Sequence, residues 1–388
     1  MNDPFSDIRP YRDDEVTAVL ARLLQDPELL GALASLRLGR LARVAPALSR
    51  ALVRIYLSRQ LRDVHDVQAM QMVVKAYVEQ MIEDSTAGFT VSGLEQLDAT
   101  RPYLFMSNHR DIAMDPAFTN YALHVGGHNT VRIAIGDNLL TKPWVSDLMR
   151  LNKSFIVKRS VSGPRELLTA SKTLSNYIRH SLLEENAPIW IAQREGRAKN
   201  GIDRTEPAVI KMLSMSRDKE TESFAEHIRK LGIVPVSISY ELDPCDEFKA
   251  KELYQVESTG EYKKAEQEDI ASIGRGISGA KGRVHVAFGS PLDADYESAS
   301  DVARAVDEQI ISLYCLHPTN LYAYQMLHGE AAALPQQLDL ASGSCSQEQF
   351  RARIAALPEA HQPYALATYA NAVVAKLAQA QNGDSLAE

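Results

Sequence analysis

The feature that most constrains this chain is a change of texture at Gly88. From there to Phe288, short apolar runs alternate with stretches of helical spacing. The runs are FTVSG at 89–93, YLFM at 103–106, VRIAI at 131–135, SFIVK at 154–158, PIWIA at 188–192, IVPVSISY at 233–240 and VHVAF at 284–288. Each is too short for a helix and rich in β-branched or aromatic residues, which reads as a buried strand. Helical stretches such as Glu166 to Leu183 separate most of them, so neighbouring strands are joined by crossovers rather than hairpins. The predicted class is α/β, with a central mixed, largely parallel sheet flanked by helices.

The flanks are helical additions. Val16, Val19, Leu20 and Leu23 follow Asp13 at helical spacing, and Asp26 with Pro27 reads as an N-cap followed by proline in the first turn. Val67, Met70, Val74, Tyr77, Val78 and Met81 mark a further helix. Helical patterning returns after residue 297 and runs to the polar tail QNGDSLAE. Three segments follow: residues 1–85 as a helical, membrane-proximal N-terminal region, 86–295 as the α/β domain and 296–388 as a helical C-terminal extension. Within the second, the lysine-, glutamate- and glycine-rich stretch 254–282 reads as an insertion or loop.

Composition narrows the function classes. At 388 residues, with 45% hydrophobic and 24% charged residues, the chain can bury a sizeable core. A net charge of −8 argues against a nucleic-acid partner. Three scattered cysteines, Cys245, Cys315 and Cys345, form no CxxC pair and no disulfide framework, which fits a reducing compartment. The start, MNDPFSDIRPYRDDE, has no signal-peptide pattern, and no apolar run approaches the roughly 20 residues of a membrane span. One segment breaks the acidic balance. Between Glu28 and Asp63 there is no acidic residue, while Arg37, Arg40, Arg43, Arg50, Arg54, Arg59 and Arg62 are interleaved with apolar residues, among them Leu48, Leu52 and Ile55 at i, i+4, i+7. That pattern reads either as a helix lying on an anionic membrane surface or as an arginine-bearing bundle helix packed through its leucines.

Four short segments carry chemistry. SNHRDIAMDP follows the YLFM strand, setting His109 at a strand's carboxyl end and Asp115 just before Pro116 opens a helix. Such strand ends are where α/β sheets build sites. A histidine whose second ring nitrogen is held by a carboxylate is a good general base, and both Asp115 and Asp111 are within reach of that role. QREGRAKNG follows PIWIA and clusters Arg194, Glu195, Gly196, Arg197 and Lys199, with arginine forks that match phosphate oxygens. LNKSFIVKRS ends a strand in Lys158 and Arg159, and IVPVSISYE carries Pro235 inside an apolar run.

Taken in this order and at intervals of about forty residues, these segments resemble the four motifs of the glycerolipid acyltransferase superfamily, which includes the 1-acyl-glycerol-3-phosphate and glycerol-3-phosphate acyltransferases. The resemblance covers about residues 86 to 292. It implies that His109 is the base and Asp115 its orienting carboxylate. It also implies that Arg159, Glu195 and Arg197, with Arg110, Lys158, Arg194 and Gly196 beside them, take the acceptor's phosphate end, and that Pro235 lines the site near the acyl donor. The sequence departs from the family in two places. Five residues rather than four separate His109 from Asp115, so the pair straddles a loop-to-helix junction or Asp111 takes the role. Arg194 stands where the family has proline before Glu-Gly.

The implied reaction moves a fatty-acyl group from acyl-CoA or acyl carrier protein to the hydroxyl of a phospholipid precursor, 1-acyl-glycerol-3-phosphate first, with glycerol 3-phosphate and a lyso-aminolipid as alternatives. No cofactor and no metal are expected, since no Cys-x-x-Cys pair occurs and none of the four motif segments carries a metal-ligand pattern. A hydrolase is a rival without a GxSxG elbow to support it, and a non-catalytic lipid binder is a rival that would not need the motif residues intact. The expected location is cytoplasmic, peripheral on the inner face of the cell membrane.

Overall fold

The computed structural model describes residues 3–265, 268–329 and 340–384. In chain order the first elements are α1 (Asp13–Leu23), α2 (Pro27–Leu38), α3 (Arg40–Val44), α4 (Pro46–Gln60), α5 (Val67–Ser85), β1 (Gly88–Ser92), β2 (Leu104–Ser107) and α6 (Met114–Val125). There follow β3 (Arg132–Gly136), α7 (Pro143–Leu151), β4 (Ser154–Val157), α8 (Pro164–Leu183), β5 (Ile189–Ala192), α9 (Pro207–Leu213), α10 (Phe224–Leu231) and β6 (Ile233–Tyr240). The last are α11 (Asp246–Thr259), α12 (Glu268–Ser278), β7 (Arg283–Phe288), α13 (Ala299–Leu313), α14 (Pro318–His328), α15 (Gln347–Ala355) and α16 (Gln362–Asp384). The chain divides into two compact units, one of residues 1–77 and 132–177, the other of residues 78–131 and 178–388.

The larger unit holds five strands in the order β1, β7, β6, β2, β5. β1 runs parallel to β7, and β2 runs parallel to both β5 and β6. β6 and β7 are antiparallel, with Val236 opposite Phe288 and Tyr240 opposite Val284. The fold is therefore α/β with a mixed, largely parallel sheet. Every residue of β2 and of β6 is buried, as expected of interior strands covered on both faces. Ring pairs stitch the covering helix to the strands: Phe118 of α6 stacks on Phe89 at 5.3 Å and lies 5.8 Å from Tyr240. Pro235 stands just past the end of the antiparallel ladder, where its carbonyl accepts from Gly289 N (2.8 Å) and only the reciprocal bond is lost with its N–H.

The smaller unit contains β3 and β4, parallel with Ile133 opposite Ser154. Its core gathers Val16, Val19, Leu20, Leu23, Leu29, Val64, Met70 and Leu151, so the apolar spacing read in the first helix is the face it buries. The arginine-rich stretch behaves differently. α4 buries Ser49 and Val53, whereas Leu48, Leu52, Ile55 and Tyr56 are exposed and Val44 just before it is 84% exposed. The leucine stripe is not a packing seam.

All seven apolar runs are strands. The stretch 254–282 is a correction: it holds the end of α11 and all of α12, with residues 266 and 267 outside the described residues. Gly260 caps α11, Gly274 and Gly276 sit inside α12 and Gly279 just after it, with Gly276 at a close contact of the helix. Residues 385–388 of the polar tail also lie outside the described residues.

Beyond β7, α14, α15 and α16 build a second core with α11 around Ala250, Phe350, Ala365 and Tyr369. α14 starts at His317, which is 1% exposed, and burial pulls its imidazole down to about 4. In an unfolded chain the ring takes up a proton near 6.5. Between those two values the unfolded state therefore binds more protons, and stability falls as pH drops from about 6.5 to about 4. His317→Gln, which cannot titrate, should remove up to about 3 kcal/mol of the pH dependence of the unfolding free energy across that window, as read by urea titration. An unaltered acid sensitivity would assign the effect to other groups.

Candidate active site

β2 lies between β5 and β6, parallel to both, so the carboxyl ends of all three strands open to the same side. The chain leaves β2 as Asn108-His109. Asn108 extends the ladder with its side chain: its Oδ1 accepts from Ile238 N (2.8 Å), and its Nδ2 donates to Ile238 O (3.0 Å). A side-chain amide thus takes the place of a peptide on β6 and fixes where His109 begins.

Asp115 is on the first turn of α6 and is wholly buried. Its Oδ2 lies 2.8 Å from His109 Nδ1 and accepts from the backbone N–H of Arg110 (2.6 Å) and of Asp111 (2.9 Å). Its Oδ1 accepts from Tyr240 Oη (2.6 Å). Burial, then the charge of Asp115, pushes the Tyr240 phenol well above its usual value, which keeps the proton that makes this bond. With Nδ1 committed to a carboxylate, Nε2 is left as the basic ring nitrogen. The ring edge rests against Trp190 of β5, centroids 5.7 Å apart and planes at 72°.

Asp111 has a different task. Its Oδ1 accepts from Ala113 N (3.0 Å) and Met114 N (2.9 Å), which starts α6. It does not share His109, so the extra residue is absorbed in the turn. Burial first, and Asp115's charge next, raise the Asp111 carboxyl above the usual carboxylate range. Arg110, expected to meet a substrate, is instead buried inside the protein. Its Nη2 donates to Asp203 Oδ2 (2.6 Å) and to Gly201 O (3.2 Å), and its guanidinium covers the Tyr314 ring at 5.4 Å. Pro235 is likewise closed within β6 rather than open to a ligand.

The Glu-Gly-Arg segment leaves β5 and is tied directly to the first loop, because Ala198 N donates to His109 O (2.8 Å). Gly196 adopts φ +72° with nothing near a would-be Cβ, so the turn depends on glycine's freedom there. Arg197 is half-buried, and its Nη1 is shielded from solvent without a hydrogen-bond partner. Glu195 is exposed, and Arg194 approaches Glu206 at 3.8 Å. Lys158 and Arg159 belong to the smaller unit, at the end of β4. There Asp137 Oδ1 accepts from Arg159 N (3.1 Å), and Lys158 Nζ lies 3.4 Å from Asp7.

Several residues outside the four motifs hold this arrangement. Asp203 receives both Asn108 Nδ2 (3.0 Å) and Arg110, and Lys249, fully buried on α11, donates to Arg110 O (2.7 Å) while pairing with Asp243. Burial works against the charge of Asp243, but the Lys249 ammonium holds its carboxyl below the usual range, with Arg197 a smaller cation in reach. Tyr240 could be found as the last residue of its apolar strand; Asp203, Asp243 and Lys249 carried no sequence signal. Among the described residues no group of three or more His, Cys, Asp or Glu is placed to hold a metal ion.

Residues 88–239 match the family model described as Acyltransferase. No curated protein sequence matches the chain. Among solved structures, the chain is similar to the 1-acyl-sn-glycerophosphate (LPA) acyltransferase PlsC from Thermotoga maritima, at 16% identity over 74% of this chain and 96% of that one, with a TM-score of 0.38.

A proton held between His109 Nδ1 and Asp115 should give a low-field proton resonance. It should vanish in His109→Gln and in Asp115→Asn and persist in Asp111→Asn, whose side-chain oxygen can still start α6. Loss of the signal in Asp111→Asn alone would reassign the pair.

Proposed function

We propose, from the premise that the chain belongs to the acyltransferase family through residues 88–239, that it transfers a fatty-acyl group from a thioester, acyl-CoA or acyl carrier protein, to the hydroxyl of 1-acyl-glycerol-3-phosphate. The observation that carries the chemistry is the His109–Asp115 pair at 2.8 Å, with its carboxylate fixed by three further donors. In this reading His109 Nε2 takes the proton of the acceptor hydroxyl as its oxygen attacks the thioester carbonyl. The C–S bond breaks, the new ester forms, and the imidazolium returns the proton to the leaving thiolate. Asp115 keeps the tautomer and stabilises the imidazolium without itself taking the proton. Arg197, half-buried with an unpartnered Nη1, is the group best suited to the acceptor phosphate, and the motif resemblance adds Glu195 and Arg159.

The acceptor is a lipid, which suits a protein working at a membrane surface. Among the described residues no helix is long and apolar enough to cross a membrane. What supports surface binding is α3 and α4: Leu41, Val44, Leu48, Leu52, Ile55 and Tyr56 are exposed beside arginines, with no acidic residue between Glu28 and Asp63. A bundle helix would bury that stripe. An anionic leaflet would receive both its apolar and its cationic groups, at about 1 kcal/mol per arginine. The location that follows is peripheral, on the cytoplasmic face of the cell membrane.

Purified protein should acylate 1-acyl-glycerol-3-phosphate from a long-chain thioester in preference to glycerol 3-phosphate or a lyso-aminolipid. Release of free fatty acid without ester would instead support a hydrolase, and no turnover with any donor and acceptor pair would leave only a lipid-binding role. His109→Ala and Asp115→Asn should each lower kcat by about 10³-fold or more, by analogy with a triad's orienting carboxylate. Arg197→Ala should lower kcat/KM for the acceptor about 10 to 100-fold, the loss of a charge-assisted contact, with lysine restoring only part. An unchanged acceptor dependence would remove Arg197 from the phosphate site.

Sedimentation with vesicles tests the membrane surface. Binding should require anionic lipid, weaken as salt rises and fall when Arg50, Arg54 and Arg59 become glutamine. Indifference to both would make α3 and α4 purely structural.

A further inference from the structure

α12 is amphipathic the wrong way round. It buries Ser272 and Gly276, while Ile270 and Ile277 are exposed. Ser272, Gly276 and, just past the helix end, Gly279 stand at i, i+4 and i+7, along one face. That face makes close backbone contacts. Cys245 Sγ reaches Ser272 O at 3.5 Å, and Arg275 Nε donates to Pro244 O at 3.2 Å. A Cβ at Gly279 would come within 2.6 Å of Pro244 Cβ. At Gly276 the neighbour is the loop that carries the proposed base: a Cβ there would meet Asp111 Oδ2 at 2.2 Å, Oδ1 at 2.7 Å and Cγ at 2.8 Å. By contrast, a Cβ at Gly274, two residues earlier on the same helix, would meet nothing within 4 Å.

Contact with the tip of a side chain is ordinarily relieved by a change of rotamer. Asp111 has little freedom to make one. It is 3% exposed, and its Oδ1 is bound to Ala113 N and Met114 N, the turn from which α6 presents Asp115. Its backbone N–H is bound to Asp115 Oδ2. Displacing the carboxyl therefore moves the start of α6, the peptide at Asp111, or both, and each bears on the distance between His109 and Asp115.

We propose that Gly276 is a positioning residue for the reaction: by letting the α12 backbone lie against the Asp111 carboxyl, it fixes the turn that holds His109 to Asp115. This rests on the acyl-transfer reading of the site. It also assigns a role to a segment beyond residues 88–239, and it explains why α12 turns Ser272 and Gly276 inward. Misplacement of a catalytic group by about 1 Å costs on the order of 10²-fold in rate.

The test compares Gly276→Ala with Gly274→Ala. Both exchange a helical glycine for alanine and gain similar helix propensity, so a difference between them reports the contact with Asp111. Gly276→Ala should lower kcat about 10 to 100-fold, leave the acceptor KM within about threefold, and shift or broaden the low-field His109 resonance, whereas Gly274→Ala should match the parent protein in all three. In an Asp111→Ala background, which removes the carboxyl the methyl would strike, adding Gly276→Ala should cost less than about twofold. Should Gly276→Ala fail to fold, the Asp111→Ala/Gly276→Ala pair should fold. Full activity in Gly276→Ala, an undiminished loss in the Asp111→Ala background, or a pair that stays unfolded would each overturn the proposal. The resonance needs no substrate, so it tests the positioning even if the parent protein transfers no acyl group, an outcome that would instead sink the functional reading.

Discussion

The structure around the proposed site depends on one buried carboxylate. Asp115 is removed from water completely, which costs several kcal/mol for an isolated charge. It is tolerated because four donors converge on it, and because it stands in the first turn of a helix, where the exposed N–H groups favour negative charge. Those donors come from two places in the chain: the loop leaving β2, which gives the His109 ring and two backbone N–H groups, and the last residue of β6. The Tyr240 donor requires β2 and β6 to be paired in their observed register, since a slip by one residue would turn Tyr240 to the opposite face. The geometry of the base is in this sense a property of the sheet.

A second layer of charge holds the first. Asp203 binds Asn108 and Arg110, and Asp243 pairs with Lys249, which holds the Arg110 carbonyl. Buried ion pairs of this kind add little net stability, because desolvation offsets most of their attraction. What they fix is position. Arg110 has carbonyl and carboxylate partners at Gly201 and Asp203 and a ring partner at Tyr314, so its guanidinium sits well in only one arrangement of the loop. The C-terminal helices take part, since Tyr369 Oη lies 3.0 Å from Asp243 N and 2.7 Å from Asp246 Oδ2, and Thr368 Oγ1 donates to Lys199 O at 2.8 Å. Residues 296 onward, read from sequence as an extension, support the same loops as the sheet does.

The strands were legible because each is an apolar run bounded by polar residues, and burial on both faces leaves that mark even in four residues such as Leu104 to Ser107. His109 and Asp115 were legible as a pair because a strand end, a proline and a helical run bracket them. Arg110 was misread for a reason local to it: beside a histidine in a polar loop, a buried arginine and an exposed one look the same, and what buries it is Asp203, over ninety residues away. Lys249 and Asp243 lie in a stretch whose composition is that of a solvated helix. The segment 254–282 was misjudged because lysine, glutamate and glycine read as loop, whereas Gly276 of α12 serves close packing and Ile270 and Ile277 face outward.

The spacing between His109 and Asp115 brings these points together. On a continuous helix one additional residue would turn the carboxylate by about 100° away from the ring. Here His109 lies before the helix and Asp115 just inside it, so the added residue lengthens only the turn between them. The turn must then be closed by something, and Asp111 closes it by accepting from Ala113 and Met114. That choice brings a second carboxyl under cover beside Asp115, where burial and the neighbouring charge together raise its proton affinity. Its Oδ2 has no hydrogen-bond partner, and the space it occupies is left by a glycine rather than filled by a donor. A longer loop at the proposed base and a small residue on a helix more than 150 positions later are two parts of one packing solution.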